Sequence, residues 1–153
     1  MSAVTFREVE AISGLKIGIA TLNAEKSLNA LNFEMVSLLT PQLQQWQSDK
    51  SIAMVLLQGA GEKAFCAGGD VVSLYKAMKD ELQHDYVERF FTAEYELDYL
   101  IHCYEKPLLV WGTGIIMGGG LGLMAGASHR VVTETSRIAM PEITIGLYPD
   151  VGG

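Results

Sequence analysis

Apolar and polar residues alternate at the start of the chain. The runs "VTFREVE" and "GLKIGIATLN" put Leu15, Ile17 and Ile19 on one face, and Ser13-Gly14 lies between them. That pattern predicts a β-hairpin. After Asn32, a plausible N-cap, the apolar period lengthens. Met35, Leu38, Leu39, Leu43 and Trp46 in "FEMVSLLTPQLQQWQSD" predict an amphipathic helix that Pro41 should kink or split. "SIAMVLLQG" and "PLLVWG" are short, nearly unbroken apolar runs of the kind that form buried strands. "VVSLYKAMKDELQ" and "HDYVERFFTAEYELDYLIHCYEK" predict helices, and "HRVVTET" and "SRIAM" two more short strands. Strands alternating with helices point to an α/β fold.

Three carboxylates stand among apolar neighbours. Tyr86, Phe90, Leu97 and Ile101 form the stripe of one helix, and Glu94 falls on that same stripe, four residues after Phe90. It needs a partner or a ligand there, unless it sits at a boundary and reaches water. Glu142 follows Pro141 in "IAMPEITIGLYPD", flanked by Met140, Ile143, Ile145 and Leu147. A carboxyl in such surroundings suits acid–base chemistry near neutral pH. Asp150 follows in the next tight turn, "YPDVGG". The two could face one cleft, or be a helix-capping Glu and an ordinary turn Asp.

The run from Leu108 to Ala127 carries no acidic or basic side chain and holds seven glycines between Gly112 and Gly126. Gly114, Gly118, Gly122 and Gly126 repeat at the spacing of membrane-helix contacts. So many glycines, three of them consecutive, weaken a helix, and His129-Arg130 follows at once. A phosphate loop would need a Gly-Lys-Ser/Thr ending, which is absent. A third reading sets "MGGGLG" beside "FCAGGD". Each glycine group leads into a helix, whose first N–H groups are unpaired. Two such ends converging would aim two donors at one developing oxyanion, and glycine would keep side chains out of the way.

Composition narrows the field. The chain has 153 residues, 49% apolar and 19% charged, which is ordinary for one globular domain or part of one. A net charge of −7 offers no basic patch for nucleic acid. The acidic residues between Asp80 and Glu105 read mostly as a solvated helix face. Cys66 and Cys103 show no pairing pattern and read as free thiols of a reducing, cytoplasmic compartment. His84, His102 and His129 lack metal-ligand spacing. The N-terminus lacks the apolar core of a secretory signal. The chain stops at "PDVGG" without a closing element, so it is expected to be the N-terminal part of a longer protein.

Taken together, "KAFCAGGD", "GTGIIMGGGLGLMAGASHRVVTETSRIAMPE" and "IGLYPDVGG" resemble the crotonase (enoyl-CoA hydratase/isomerase) superfamily. "IATLNAEKSLNALNFEMVSLLTPQLQQW" is similar to its N-terminal strand and helix, so the likeness covers nearly the whole chain. The resemblance implies a crotonase-like ββα spiral, with residues 1–153 forming an acyl-CoA-binding core. It implies an oxyanion hole from the N–H groups of Gly69 and Gly119. The "KAFCAGGD" backbone, with Ala64, Ala67 and Gly68, would meet the adenine end of coenzyme A. Glu94, Gly119, Glu142 and Asp150 match the substrate contacts of the superfamily's thioester-hydrolase branch, with Glu142 as nucleophile or general base and Asp150 holding a substrate hydroxyl or a water.

Two departures matter. Superfamily hydratases keep a glutamate three residues after the middle glycine of "GGG", where this chain has Gly122. That favours hydrolysis of a short branched 3-hydroxyacyl thioester, as in valine breakdown, over hydration or isomerisation of an enoyl-CoA; a non-catalytic acyl-CoA-binding module is a further alternative. The Arg-Pro that often meets the coenzyme A phosphates is replaced by Ala24-Glu25, so the adjacent Lys26 is either a phosphate contact or a surface lysine. The resemblance implies no separate cofactor, since coenzyme A is part of the substrate, and a homo-oligomer that touches neither membrane nor nucleic acid.

Overall fold

The structure, a computed structural model, describes residues 2–12, 14–79 and 84–152. The expected hairpin is present: β1 (Val4–Glu10) runs antiparallel to β2 (Lys16–Leu22), with Val4 opposite Leu22. From there the chain winds as a spiral whose successive turns feed two sheets. β3 (Ile52–Gly59), β5 (Leu108–Gly112) and β7 (His129–Val132) extend the first sheet in the order β1-β2-β3-β5-β7, with every pair after the hairpin parallel. Each is followed by a short strand of a second, parallel sheet: β4 (Ala64–Cys66), β6 (Ile115–Met117) and β8 (Arg137–Ala139). Helices α1 (Phe33–Ser48), α2 (Val71–Lys79), α3 (His84–His102) and α4 (Gly119–Ala125) complete the turns.

Local chemistry explains most boundaries. Asn32 starts α1 by accepting the Met35 N–H at 2.9 Å. Pro41 does not split that helix, which continues to Ser48, and the Thr40 hydroxyl donates to the Val36 carbonyl at 3.1 Å in the same turn. The α3 pattern suggested helix up to Lys106, but α3 ends at His102. Beyond it Tyr104 donates to the Leu43 carbonyl at 2.6 Å and Lys106 to the Trp46 carbonyl at 2.6 Å, so these residues tie off the end of α1 instead. The part of the α2 expectation on Asp80–Gln83 lies outside the described residues.

The long apolar run is divided among β5, β6 and α4. Among the described residues no helix is long and apolar enough to cross a membrane. Neither β4 nor β6 has a signal in the sequence, because three residues inside a glycine-rich run carry no usable period.

The core lies where α1 packs against α3 and over β1, β2 and β3 of the large sheet. Leu22, Leu39, Leu43, Leu57 and Leu97 are fully buried. Trp46 lies flat over Gly18, where a methyl group would come within 2.7 Å of the indole. Its Nε1 donates to Glu8 at 3.1 Å, and Lys16 holds the other oxygen of that carboxylate at 2.9 Å. Only two polar or charged residues are buried among those described, Asn29 and Glu94. Both serve the glycine loops.

Candidate active site

Asn29 shapes the first loop. It adopts a positive φ of 55°, and its side-chain amide donates to the carbonyls of Ala60 at 3.0 Å and Ala64 at 2.9 Å. Its Oδ1 accepts the Ala24 N–H at 3.0 Å. These bonds fix β4 and the residues that follow it. The Leu31 N–H then donates to the Gly68 carbonyl at 2.7 Å, and the Asp70 N–H to the Leu31 carbonyl at 2.8 Å. This bridge uses the groups on either side of Gly69 and leaves the Gly69 N–H out. Asp70 closes the loop by capping α2, accepting the Ser73 N–H at 3.1 Å and its hydroxyl at 2.6 Å.

The second loop passes through Gly118, whose φ of +49° suits glycine, and enters α4 at Gly119. The Gly118 carbonyl accepts from the N–H groups of Leu121 at 2.8 Å and Gly122 at 3.0 Å. The Gly119 N–H, first in the helix, has no intrahelical acceptor. The two loops meet: a methyl group added at Gly119 would lie 3.6 Å from the Gly69 nitrogen and would collide with Glu94 Oε1. One added at Gly118 would come within 2.5 Å of Glu142 Oε1.

Around this meeting point is a cavity of about 340 Å³. Ala67, Gly68, Gly69, Glu94, Gly119, Glu142 and Asp150 all line it, so seven of the residues singled out in the sequence converge. Glu142 opens a 3-10 turn, Glu142–Ile145, and its Oε2 is buried with no hydrogen-bond partner among the described residues. Glu94 enters from α3 and is 2% exposed. Burial, reinforced by the carboxylates of Asp98, Asp150 and Glu142, pushes its pKa up to about 8.

The other two candidates stay outside. Ala64 is buried in β4, where its carbonyl accepts from Asn29. Lys26 is exposed in the 3-10 turn Glu25–Ser27 and does not line the cavity.

Residues not singled out in the sequence complete the site. Tyr95 donates from its hydroxyl to Asp150 Oδ2 at 2.5 Å. Asp98, read as part of a solvated acidic face, is not solvated: both its carboxyl oxygens are buried, with no hydrogen-bond partner among the described residues. Burial and the nearby Asp150 push its pKa up to about 7. Asp98 lies four residues after Glu94, so helical spacing from Glu94 was the available signal. Glu96, on another face of α3, is exposed as expected. Gly122 is filled from outside: a methyl group there would come within 2.5 Å of Val151 Cβ and 3.3 Å of Asp98 Oδ1.

Two sheets built by a ββα spiral, parallel beyond the first hairpin, with two glycine N–H groups and three carboxyl groups around one cavity, define a class that comparison with known proteins makes specific. A family model described as "Enoyl-CoA hydratase/isomerase" matches residues 17–153. The chain belongs to that family. It is 47% identical over 138 residues to a mitochondrial 3-hydroxyisobutyryl-CoA hydrolase of Danio rerio, covering 90% of this chain and 36% of that protein. It is 44% identical over 136 residues to the protein of that name from Homo sapiens, covering 89% of this chain and 35% of the relative.

Among solved structures, a carnitinyl-CoA dehydratase from Mycobacterium thermoresistibile superposes with a TM-score of 0.91 at 43% identity, covering 99% of this chain and 43% of that one. An enoyl-CoA hydratase from Rhodobacter sphaeroides gives 0.90 at 38% identity, with the same coverage of 99% and 43%. The chain thus spans little more than a third of the curated relatives it matches. Those relatives are named as mitochondrial, which gives no support to a cytoplasmic location.

Proposed function

We propose that the full-length protein hydrolyses an acyl-CoA thioester, converting 3-hydroxyisobutyryl-CoA and water to 3-hydroxyisobutyrate and coenzyme A. The observation that carries this reading is the convergence of Gly69, Gly119, Glu94, Glu142 and Asp150 on one cavity. The relatives' names supply the acyl group.

In this reading the thioester carbonyl oxygen lies between the Gly69 and Gly119 N–H groups. Among the described residues neither donates a hydrogen bond, so both can stabilise a tetrahedral oxyanion. Glu142 drives the attack from the opposite loop, by one of two routes. Its carboxylate can add to the carbonyl carbon and expel coenzyme A thiolate, leaving a mixed anhydride for water to cleave. Alternatively it can take a proton from a water that attacks directly. A single turnover in ¹⁸O-labelled water separates the routes, because cleavage of the anhydride at its enzyme carbonyl leaves label in Glu142. Asp150 accepts a hydrogen bond from the substrate hydroxyl. Glu94, protonated below about pH 8, donates to the substrate or to a water beside Gly119. The family's homo-oligomeric assembly is part of the same reading.

A second reading keeps the site and changes the reaction to hydration of an enoyl-CoA, as the names of the two solved structures suggest. Gly122 weighs against it, because that position faces Val151 and has no room for a carboxylate. Supplying the full-length protein with 3-hydroxyisobutyryl-CoA and, separately, crotonyl-CoA decides between them. Thiol release from the first without hydration of the second supports the hydrolase; the converse supports the hydratase.

A further inference from the structure

Asp150 sits in a stretch with little to hold it. It follows the 3-10 turn and precedes Val151, which has a positive φ of 48°, a conformation that is costly for a β-branched residue. Among the described residues, the bond from Tyr95 to Asp150 Oδ2 is the only hydrogen bond that joins segment 148–152 to the rest of the protein. The Tyr95 ring is itself held. It packs against Phe91 with centroids 6.0 Å apart, and Phe91 packs against Phe90 at 5.5 Å. Phe90 is buried in the core, so an aromatic ladder along α3 ties the Tyr95 hydroxyl to the rigid body of the protein.

The ladder has a chemical consequence. Tyr95 uses one oxygen of Asp150 and leaves Oδ1 with its lone pairs for another donor. The side chain lines the main cavity and also a neighbouring one of about 510 Å³ that runs past Asp98, Gly122 and Val151. It therefore stands between the reaction site and the back of the loop. The groups facing Asp150 from α3 are Glu94, Tyr95 and Asp98, and Glu142 faces the same Glu94 from its own turn. Among the described residues Tyr95 is the one that donates to Asp150, and so the one that holds its carboxyl in place.

We propose that Tyr95 is a positioning residue that aims Asp150, and that through it the site selects acyl groups carrying a hydroxyl. The inference rests on the thioester-hydrolase reading. Substrates with and without the hydroxyl, 3-hydroxyisobutyryl-CoA and isobutyryl-CoA, read the selection out.

The test measures kcat/KM for both esters with the full-length protein and with Tyr95→Phe, Asp150→Asn and the double variant. Loss of one hydrogen bond to a charged group should lower the preference for the hydroxylated ester roughly 10- to 100-fold in Tyr95→Phe. Asp150→Asn should lower it as far, and the double variant no further. Equal slowing of both esters, or an unchanged preference, overturns the proposal. If the full-length protein cleaves neither ester, the hydrolase reading fails, and hydrogen exchange then tests the anchoring by itself. Faster amide exchange at residues 147–152 in Tyr95→Phe upholds the anchoring, and unchanged exchange overturns it.

Discussion

Glu94 Oε1 occupies the space in which Gly119 would carry a side chain. The contact explains both residues: a Cβ at Gly119 would meet Gly69 only at an ordinary 3.6 Å, but the space it needs is filled by a carboxyl from α3. Gly119→Ala therefore has to push Glu94 away and turn its own N–H. We expect thioester cleavage to fall about 10²- to 10³-fold, the range for losing one oxyanion donor. Steady-state thiol release checks this, with circular dichroism to show that the fold is kept.

The buried acids make stability depend on pH. Glu94 and Asp98 keep their protons up to about 8 and about 7 in the folded protein. In the unfolded chain such carboxyls ionise near pH 4. Between these values the folded state binds more protons, so its stability falls as pH rises, by up to about 1.4 kcal/mol per pH unit for each group. The fall should run from about pH 4 to about pH 8 and then level off. Asp98→Asn should make the slope shallower and gain stability over the parent towards pH 8. Urea unfolding at several pH values measures both, and an unchanged slope would show that Asp98 is not held protonated.

Gly122 supports the loop that carries Asp150. In Gly122→Ala the new methyl group meets Val151 Cβ, which belongs to backbone-linked structure and cannot swing aside like the tip of a long side chain. Activity should drop at least about tenfold while the melting temperature moves little, because a small misplacement of a catalytic group costs rate before it costs fold. Paired measurements of kcat/KM and Tm test the separation.

Asn29 should behave in the opposite way. Removing its amide in Asn29→Ala leaves the buried carbonyl of Ala64 without that donor, and the Ala24 N–H without its acceptor. The expected loss is about 1–3 kcal/mol for each group stranded, together with activity, since the first glycine loop hangs from these bonds. Denaturant unfolding gives the magnitude.

How much of this was legible in the sequence depended on the period of each signal. The hairpin, α1 and α3 carry clear periods of two or of three to four, β3 and β5 are short unbroken apolar runs, and their places follow from that. β4 and β6 are three residues long and are set by pairing with distant strands, which no local pattern carries. The site was legible where a residue type clashed with its surroundings. Glu94 on an apolar stripe, Glu142 among isoleucines and the consecutive glycines were visible for that reason. Asp98 and Tyr95 fit their helix as ordinary polar positions, and only the fold of the 146–152 segment onto α3 gives them work.

The most direct test of the central claim is thiol release from 3-hydroxyisobutyryl-CoA by the full-length protein and by its Glu142→Gln variant. Gln keeps the shape of the side chain but can neither attack the carbonyl nor accept a proton from water. The account predicts release by the parent and a rate at least about 100-fold lower in the variant, at unchanged fold. Release by the variant at the parent's rate, or no release by the parent, would contradict it.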